Sequence, residues 1–393
     1  MVNMLLKRVM VSMHYRSVIP AASFTEAKMH VLRLPVTIHK YSLRVTTARN
    51  FTISSGCIFD LTTILKAKET STADRVAAIN AIDVNSSLDE ASKNKHVLEI
   101  RNSDALDVLL GFLQDSDTIA SSDLLVPSFL ALIRLSSKSL LTQALIRLNA
   151  INVLTPFLMQ TDPRLQAAAC LTLGNLALEP TAATAVSSTK VVRAVLSVLT
   201  SPHEAIKRSA SSCIATIASG AQGRYQIVEQ DGVQRICELL DDEYSDSLRG
   251  TAAFALGNIV SGYDIDIQDL IFENGALSTL VLLLSPVFAE DVNSNAAWAV
   301  HHSVRLNTAS QSLVAEAGGL GMLVQHIDNA VLESLQTNAL LALESVVVNN
   351  EKNLAWCRSN GIVLVLQRIQ ETDGDVLTAN AKQALALLLK QFK

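Results

Sequence analysis

Residues 165–178, LQAAACLTLGNLAL, and residues 248–261, LRGTAAFALGNIVS, are two versions of one sequence. Both begin with Leu, have Ala at the fifth position and end with Gly-Asn followed by an apolar residue and two more residues. Between them, residues 206–219 read IKRSASSCIATIAS, with small and apolar residues at matching places. A segment that recurs at intervals of 41 and 42 residues indicates a structure built from stacked repeats.

The repeat extends over most of the chain when each copy is aligned on its small fifth residue, which we call the anchor. Successive anchors are 41, 41, 42, 44, 43 and 42 residues apart, at Ser128, Ala169, Ala210, Ala252, Ala296, Ala339 and Ala381. A second pattern precedes the last four anchors, in which a glycine-containing turn leads into an apolar helix: Asp231-Gly232-Val233, Asn274-Gly275-Ala276, Gly318-Gly319-Leu320 and Asn360-Gly361-Ile362. Glycine can adopt the left-handed conformation that ends a helix, so the next helix leaves at a sharp angle. One such unit cannot bury its apolar face alone, and we expect the units to stack into a continuous core.

This double pattern resembles the armadillo repeat, whose second helix begins at Gly-Gly-Ile and whose third helix reads Ala-Ala-x-Ala-Leu-x-Asn-Leu. The third-helix pattern is matched at 252–258 and at 296–300. HEAT repeats share the period but lack this glycine and this asparagine. The resemblance covers residues 95–393 and implies an all-α, right-handed solenoid (superhelix) of about seven armadillo repeats. We expect residues 59–94 to form an N-terminal helical cap and residues 1–58 to form a separate basic segment.

Composition agrees with a helical, aliphatic core. Of 393 residues, 49% are hydrophobic and only 4% aromatic, and 15 Gly with 8 Pro are too few for a many-turned β protein. The longest apolar run, residues 276–289, contains Pro286 and stops at Glu290-Asp291, so no transmembrane segment is expected.

The N-terminal segment has a different charge from the rest of the chain. Residues 1–59 have one acidic residue, Glu26, and eight basic ones, a net charge of +7; the remaining 24 basic and 36 acidic residues give −12. Leu5, Leu6, Val9, Met10 and Met13 would form one face of a helix, which with the basic bias is typical of a mitochondrial presequence. Arg49, Phe51 and Ser54 match the pattern of a twice-cleaved presequence. The alternatives are a plastid address, or a basic tail on a cytoplasmic protein.

The armadillo resemblance also implies where a partner would bind. In many armadillo proteins the third helices line a concave groove, where the final Asn of each repeat holds the backbone of an extended peptide and a Trp one turn earlier packs its side chains. Here the Asn is present only at Asn175 and Asn258 and the Trp only at Trp298, so an import-receptor type of groove is not expected. The groove candidates are Phe254, Asn258, Trp298, His302 and Asn175. The alternative is that the two amides are structural and that Trp298 packs between repeats.

We expect Phe254 and Trp298 to form a shared, exposed apolar shelf, with His302 on the groove face and His301 packed or at the rim. The acidic loops at 241–243 and 290–291 favour a partner with basic residues.

No catalytic, cofactor or metal site is expected. Adjacent residues on a helix point about 100° apart, so His301 and His302 would not converge on one zinc ion without distant ligands. The aspartates at 264, 266 and 269 lack the glycine and glutamate of a calcium loop. No Walker, dinucleotide-binding or Gly-x-Ser-x-Gly motif is present. The five cysteines form no C-x-x-C pair and are typical of buried thiols in a reducing compartment: Cys57, Cys170, Cys213, Cys237 and Cys357.

These observations predict a non-enzymatic protein–protein interaction scaffold, an accessory subunit of a large mitochondrial assembly such as an ATP synthase, a respiratory complex or a ribosome. The alternative is a soluble armadillo adaptor that binds an extended or helical peptide in its groove. Proteins are the expected partners, and neither a cofactor nor a small-molecule substrate is expected. The charge of −12 on the body disfavours binding to nucleic acid.

Overall fold

The computed structural model describes residues 58–67, 69–82, 90–115, 118–119, 123–262, 264–372 and 377–392. The chain divides into a unit of residues 1–42 and a unit of residues 43–393, and the described helices all belong to the second unit. The predicted presequence, with its cleavage motif at Arg49, Phe51 and Ser54, lies outside the described residues.

All regular structure in the described residues is helical. The α-helices, in chain order, are α1 (Ile58–Lys66), α2 (Thr72–Ile82), α3 (Glu90–Asn102), α4 (Ala105–Phe112), α5 (Leu125–Ser136), α6 (Ser139–Arg147), α7 (Ala150–Leu154), α8 (Pro163–Ala177), α9 (Ala183–Val186), α10 (Thr189–Val198), α11 (Glu204–Ala218), α12 (Ala221–Val228), α13 (Gly232–Cys237), α14 (Asp246–Val260), α15 (Ile265–Glu273), α16 (Ala276–Leu282), α17 (Glu290–Val304), α18 (Thr308–Glu316), α19 (Gly319–Asn329), α20 (Glu333–Val347), α21 (Glu351–Ser359), α22 (Ile362–Thr372) and α23 (Ala379–Gln391). Short 3-10 turns occupy Thr155–Met159, Pro180–Ala182 and Glu238–Leu240.

The described helices form a solenoid of seven three-helix repeats, and the helix pair α1 and α2 comes before the first repeat. The third helices of the repeats are α5, α8, α11, α14, α17, α20 and α23, and each packs against the next. All seven anchors lie inside these helices and have 0% of their surface exposed. A small side chain at this position lets each third helix approach its neighbours closely. The predicted all-α solenoid is confirmed.

In the last four repeats the turn from the first to the second helix contains one left-handed residue. Gly275, Gly318 and Gly361 have φ angles of 71°, 81° and 72°, which glycine adopts without strain. In the fourth repeat the left-handed residue is Asp231, with φ 57°, and not the glycine that follows it. Gly232 is needed for another reason, because a Cβ there would lie 2.7 Å from the carbonyl oxygen of Ile227.

Side-chain hydrogen bonds hold adjacent repeats together and also join the first to the third helix within a repeat. Glu290, at the start of α17, accepts hydrogen bonds from the backbone N–H groups of Val331 (3.0 Å) and Leu332 (2.6 Å), just before α20. Gln268 of α15 donates to the carbonyl of His302 at 2.9 Å, and Gln311 of α18 donates to that of Ser345 at 2.8 Å. These bonds use backbone groups that the helices leave unpaired at their ends.

Candidate protein-binding surface

The candidate surface is the face of the third helices that their neighbours leave open. The position two residues after each anchor, which we call the central row, is partly exposed in five repeats and exposed in the seventh. In order along the chain, the central row comprises Leu130, Leu171, Ser212, Phe254, Trp298, Leu341 and Gln383. Four of the partly exposed side chains are apolar, so the row offers apolar contact area over several repeats.

Trp298 is the largest side chain of the central row and is held rigidly. Its indole Nε1 donates a hydrogen bond to Oδ1 of Asn258 at 2.9 Å. The ring of His302 meets it edge-on, with 4.2 Å between the ring centroids and an interplanar angle of 82°. The indole also lies against Gly257 of α14, where a Cβ would overlap the ring and come within 2.9 Å of Nε1. Trp298 therefore keeps one orientation while part of its surface faces outward.

The two predicted asparagines use their amides inside the solenoid. Nδ2 of Asn258 donates to the carbonyl of Ala215 at 2.9 Å, so this side chain joins α11 to α14 and, through Trp298, to α17. Nδ2 of Asn175 donates to the carbonyl of Ile133 at 3.1 Å and to Oγ of Ser136 at 3.0 Å. These geometries fit the structural alternative. Contact of these residues with a partner stays a prediction.

The expectation of an exposed shelf at Phe254 is wrong. This side chain has only 2% of its surface exposed, and every residue of α14 from Leu248 to Val260 is buried. The reason is that α14 lies between α11 and α17, and Trp298 of α17 leans over it at Gly257 and Asn258. One aromatic side chain, and not two, is available on the central row.

The histidine pair is also buried, so the expectation that His302 lies on an open groove face is wrong. Each ring has 4% of its surface exposed. Nδ1 of His301 lies 2.7 Å from Oγ of Ser345 and 3.0 Å from the carbonyl oxygen of Leu341, across the next repeat. Burial and the nearby charge of Arg305 lower the pKa of His301 to about 3. Burial first, then the charges of His301, Arg305 and Arg224, lower the pKa of His302 well below its usual range.

The described cysteines behave as buried thiols. Cys170, Cys213 and Cys357 are buried and Cys237 is partly exposed. Burial raises the pKa of Cys213 to about 12, so this thiol is not a reactive thiolate. Among the described residues, no group of three or more His, Cys, Asp and Glu side chains could hold a metal ion. No described helix is long and apolar enough to cross a membrane.

Sequence reasoning missed how acidic the stretch of chain that contains Trp298 is. Residues 250–351 contain 11 acidic residues and one basic residue, Arg305, a net charge of −10. The guanidinium of Arg305 is 3.1 Å from the carboxylate of Glu344, which is itself buried. A charge count in windows along the chain would have found this acidic segment, which contains Trp298 and its neighbours.

Comparison with known proteins identifies the repeat. Residues 138–178 match the Armadillo/beta-catenin-like repeat family, and residues 223–361 match the SIL1/FES1/HPBP1 C-terminal domain family. An engineered protein of known structure superimposes with a TM-score of 0.68 at 23% identity, over 85% of this chain and 77% of its own. Residues 138–178 thus match the armadillo repeat in sequence, and the solenoid as a whole has the fold of armadillo repeat proteins.

Two further proteins are similar in sequence as well. Importin subunit alpha-1b of Oryza sativa subsp. japonica is 32% identical over 120 residues, which is 30% of this chain and 22% of the importin. The matched part thus spans about a fifth of that relative. A designed armadillo repeat protein, solved in complex with the peptide (KR)4, is 26% identical with a TM-score of 0.51, over 61% of this chain and 99% of the designed one.

Proposed function

We propose that this protein is a non-enzymatic scaffold that binds a basic segment of a partner protein on the central row, with Trp298 as the main contact. The observation that carries the proposal is a rigid, partly exposed tryptophan inside a segment of net charge −10. A tryptophan that is already fixed loses little conformational freedom on binding, and such residues often dominate binding energy.

The chemistry of the partner follows from the same two features. An indole face attracts Arg and Lys side chains through cation–π interaction and packs against their aliphatic stems. The acidic segment adds long-range attraction, which mainly raises the association rate and weakens with salt. The similar designed protein is in complex with (KR)4, a peptide of alternating Lys and Arg. A short segment with several Lys or Arg residues is therefore the proposed ligand.

The test measures binding of a fluorescent (KR)4 peptide to the full chain by anisotropy, together with the melting temperature of each variant. We expect Trp298→Ala to weaken binding about tenfold. Trp298→Phe, which keeps an aromatic ring but loses the bond to Asn258, should lose less affinity. Leu364→Ser is the control, because Leu364 is 72% exposed on α22, a second helix that does not contribute to the central row. Unchanged affinity of the folded Trp298→Ala protein would contradict the proposal and would assign Trp298 to packing between repeats.

We further propose that the scaffold works in mitochondria, as an accessory subunit of a large assembly. The basic, acid-poor sequence of residues 1–59 supports this compartment. N-terminal sequencing of the protein isolated from cells should find a start between residues 50 and 59. Sedimentation of a gentle detergent lysate should find the protein wholly with one large complex. A mostly free protein would instead support the adaptor function, and an intact Met1 in a cytosolic fraction would refute the mitochondrial proposal.

A further inference from the structure

Two valines stand out at the edge where the third helices begin. Val331 has 93% of its surface exposed and Val287 has 84%, although valine is among the residues most often buried. Val287 lies in the loop between α16 and α17, and Val331 lies in the loop between α19 and α20. They are 44 residues apart, about one repeat, so they occupy corresponding loops of adjacent repeats.

A hydrogen-bonded connection places the two loops side by side. The carboxylate of Glu290, three residues after Val287, accepts the backbone N–H of Val331 at 3.0 Å. The loop that contains Val331 is thus fixed against the start of α17. Pro286 is exposed beside Val287, and Ala330 and Leu332 are partly exposed beside Val331. We call residues 286–287 and 330–332 the valine rim.

The fold does not require apolar residues at this edge. In the third repeat the corresponding loop is Ser201-Pro202-His203, and in the fourth it is Asp241-Asp242-Glu243. Both loops are largely exposed and mostly polar or charged, and the third helices α11 and α14 follow them normally. Folding therefore does not explain why the next two repeats have exposed valines where these two have polar loops. An exposed apolar patch rimmed by polar groups is typical of an interaction site.

The charges around the valine rim indicate that its partner has basic residues. Asp291 and Glu333 are exposed beside it, and Glu290 is partly exposed between its two loops. Within residues 250–351 Arg305 is the only Lys or Arg, and it forms an ion pair with Glu344; Arg368, from α22, forms an ion pair with Asp328 near the end of α19. From this geometry we propose that the valine rim docks a basic amphipathic helix of a partner protein, at a surface separate from the central row.

The spacing of the rim fits one face of such a helix. Packed helices lie about 8–10 Å apart, so corresponding loops of adjacent repeats are separated by about that distance. An α-helix rises 1.5 Å per residue, and residues i and i+7 on one face are therefore about 10 Å apart. Two apolar residues at this spacing can cover Val287 and Val331, while Lys or Arg residues beside them face the carboxylates of Asp291 and Glu333.

The test uses the full chain and a labelled synthetic peptide of leucines and lysines with all leucines on one helical face. A peptide of the same composition in scrambled order is the control ligand. We expect the helical peptide to bind at physiological salt and the scrambled one to bind at least about tenfold more weakly. Val287→Ser combined with Val331→Ser should abolish this difference without lowering the melting temperature, because both side chains are exposed. Leu364→Ser, on α22, is the matched control and should leave binding unchanged.

The inference would be overturned if the two peptides bound equally, or if the double valine variant bound the helical peptide with full affinity. It would also be overturned if binding of the helical peptide to the double variant Asp291→Asn with Glu333→Gln depended on salt as strongly as binding to the unchanged protein. The (KR)4 peptide, which has no apolar side chain, separates the two surfaces. It should bind the double valine variant normally, and a loss of (KR)4 binding there would show that the rim is not a separate surface. If (KR)4 binding is lost in Trp298→Ala and kept in the double valine variant, the two surfaces are separate, as proposed.

Discussion

His301 and His302 show how a buried pair of titratable rings holds three repeats together. His301 of α17 reaches Ser345 and the carbonyl of Leu341 on α20, and His302 packs under Trp298, which is bonded to Asn258 on α14. Both rings are buried and stay neutral, because burial and the nearby arginine charges disfavour the protonated form.

This pair predicts loss of stability in acid. A histidine in the unfolded chain titrates near 6.5, and folded His301 titrates at about 3. Between these values the unfolded state binds a proton at His301 that the folded state does not, so this contribution to the free energy of unfolding falls as the pH decreases below 6.5 and is fully present above it. At pH 5 the shift of His301 should lower the free energy of unfolding by about 2 kcal/mol, and the lowered pKa of His302 acts in the same direction.

Urea unfolding at pH 7.5 and at pH 5 measures this loss. His302→Leu should reduce this pH dependence, whereas Leu364→Ser, which removes no titratable group, is the control. A His302→Leu protein with the full pH dependence would contradict the assignment.

Leu306 gives a second prediction for a single residue. It follows α17 with φ 61°, a left-handed conformation that is costly for leucine, and 66% of its side chain is exposed. One repeat later Asn349 has φ 57° at the corresponding position, and asparagine tolerates this conformation. Leu306→Asn should therefore stabilise the protein by about 1 kcal/mol, and the reverse change Asn349→Leu should destabilise it similarly. Thermal unfolding of the two variants measures both effects, and a lower melting temperature for Leu306→Asn would count against strain at this turn.

At the scale of helices, the two residues of the Gly-Asn pair in α8 and α14 contact different neighbouring helices. The asparagine binds the preceding third helix, as Asn258 does at Ala215, while the glycine makes room for the following one. Gly257 lies under Trp298, and Gly174 faces the backbone of Cys213, whose Cα would be 3.4 Å from an added Cβ. The motif thus connects three consecutive third helices.

Alanine substitutions of two helical glycines separate packing from helix propensity. Gly257→Ala would push a Cβ into the indole of Trp298, and we expect a loss of about 1–3 kcal/mol. Gly321 of α19 is exposed and a Cβ there would meet nothing within 4 Å, so Gly321→Ala should instead stabilise by about 0.5–1 kcal/mol. Chemical denaturation of both variants tests the pair. An equal gain in the free energy of unfolding for both variants would show that α14 and α17 can move apart freely.

The sequence was sufficient to predict the repeat and its anchors but only part of the surface. All seven anchors could be identified, because a small residue surrounded by Leu, Ile and Val recurs at a fixed period. The contact between Trp298 and Asn258 could not be predicted, because it depends on the offset between two helices 40 residues apart. The same offset buries Phe254, which occupies the same position as Trp298 in the pattern but is covered by its neighbours.

At the scale of the whole molecule, stability comes from contacts between neighbouring repeats and not from one closed core. Helix α14 is buried from Leu248 to Val260 between α11 and α17. The last described helix, α23, buries only Ala381, Ala384, Leu385 and Leu388. Repeats in the middle should therefore open less often than the repeat at the end.

Hydrogen exchange followed by mass spectrometry checks this expectation. Amide protection should be greatest in α14 and α17 and should decrease toward α23, because opening a terminal repeat breaks one interface and opening an inner one breaks two. Equal protection in α14 and α23 would indicate that the array opens only as a whole.

The scarcity of basic residues around Trp298 also decides which reagents can detect this surface. Trypsin cleaves after Lys and Arg, so complete digestion leaves residues 250–305 and 306–352 as two long peptides that ordinary peptide mapping would miss. Amine-reactive cross-linkers find no lysine between Lys207 and Lys352. Interaction maps made with these reagents would show this region as empty even when a partner covers it. Carboxylate-directed cross-linkers and a protease that cleaves after glutamate are the reagents suited to it.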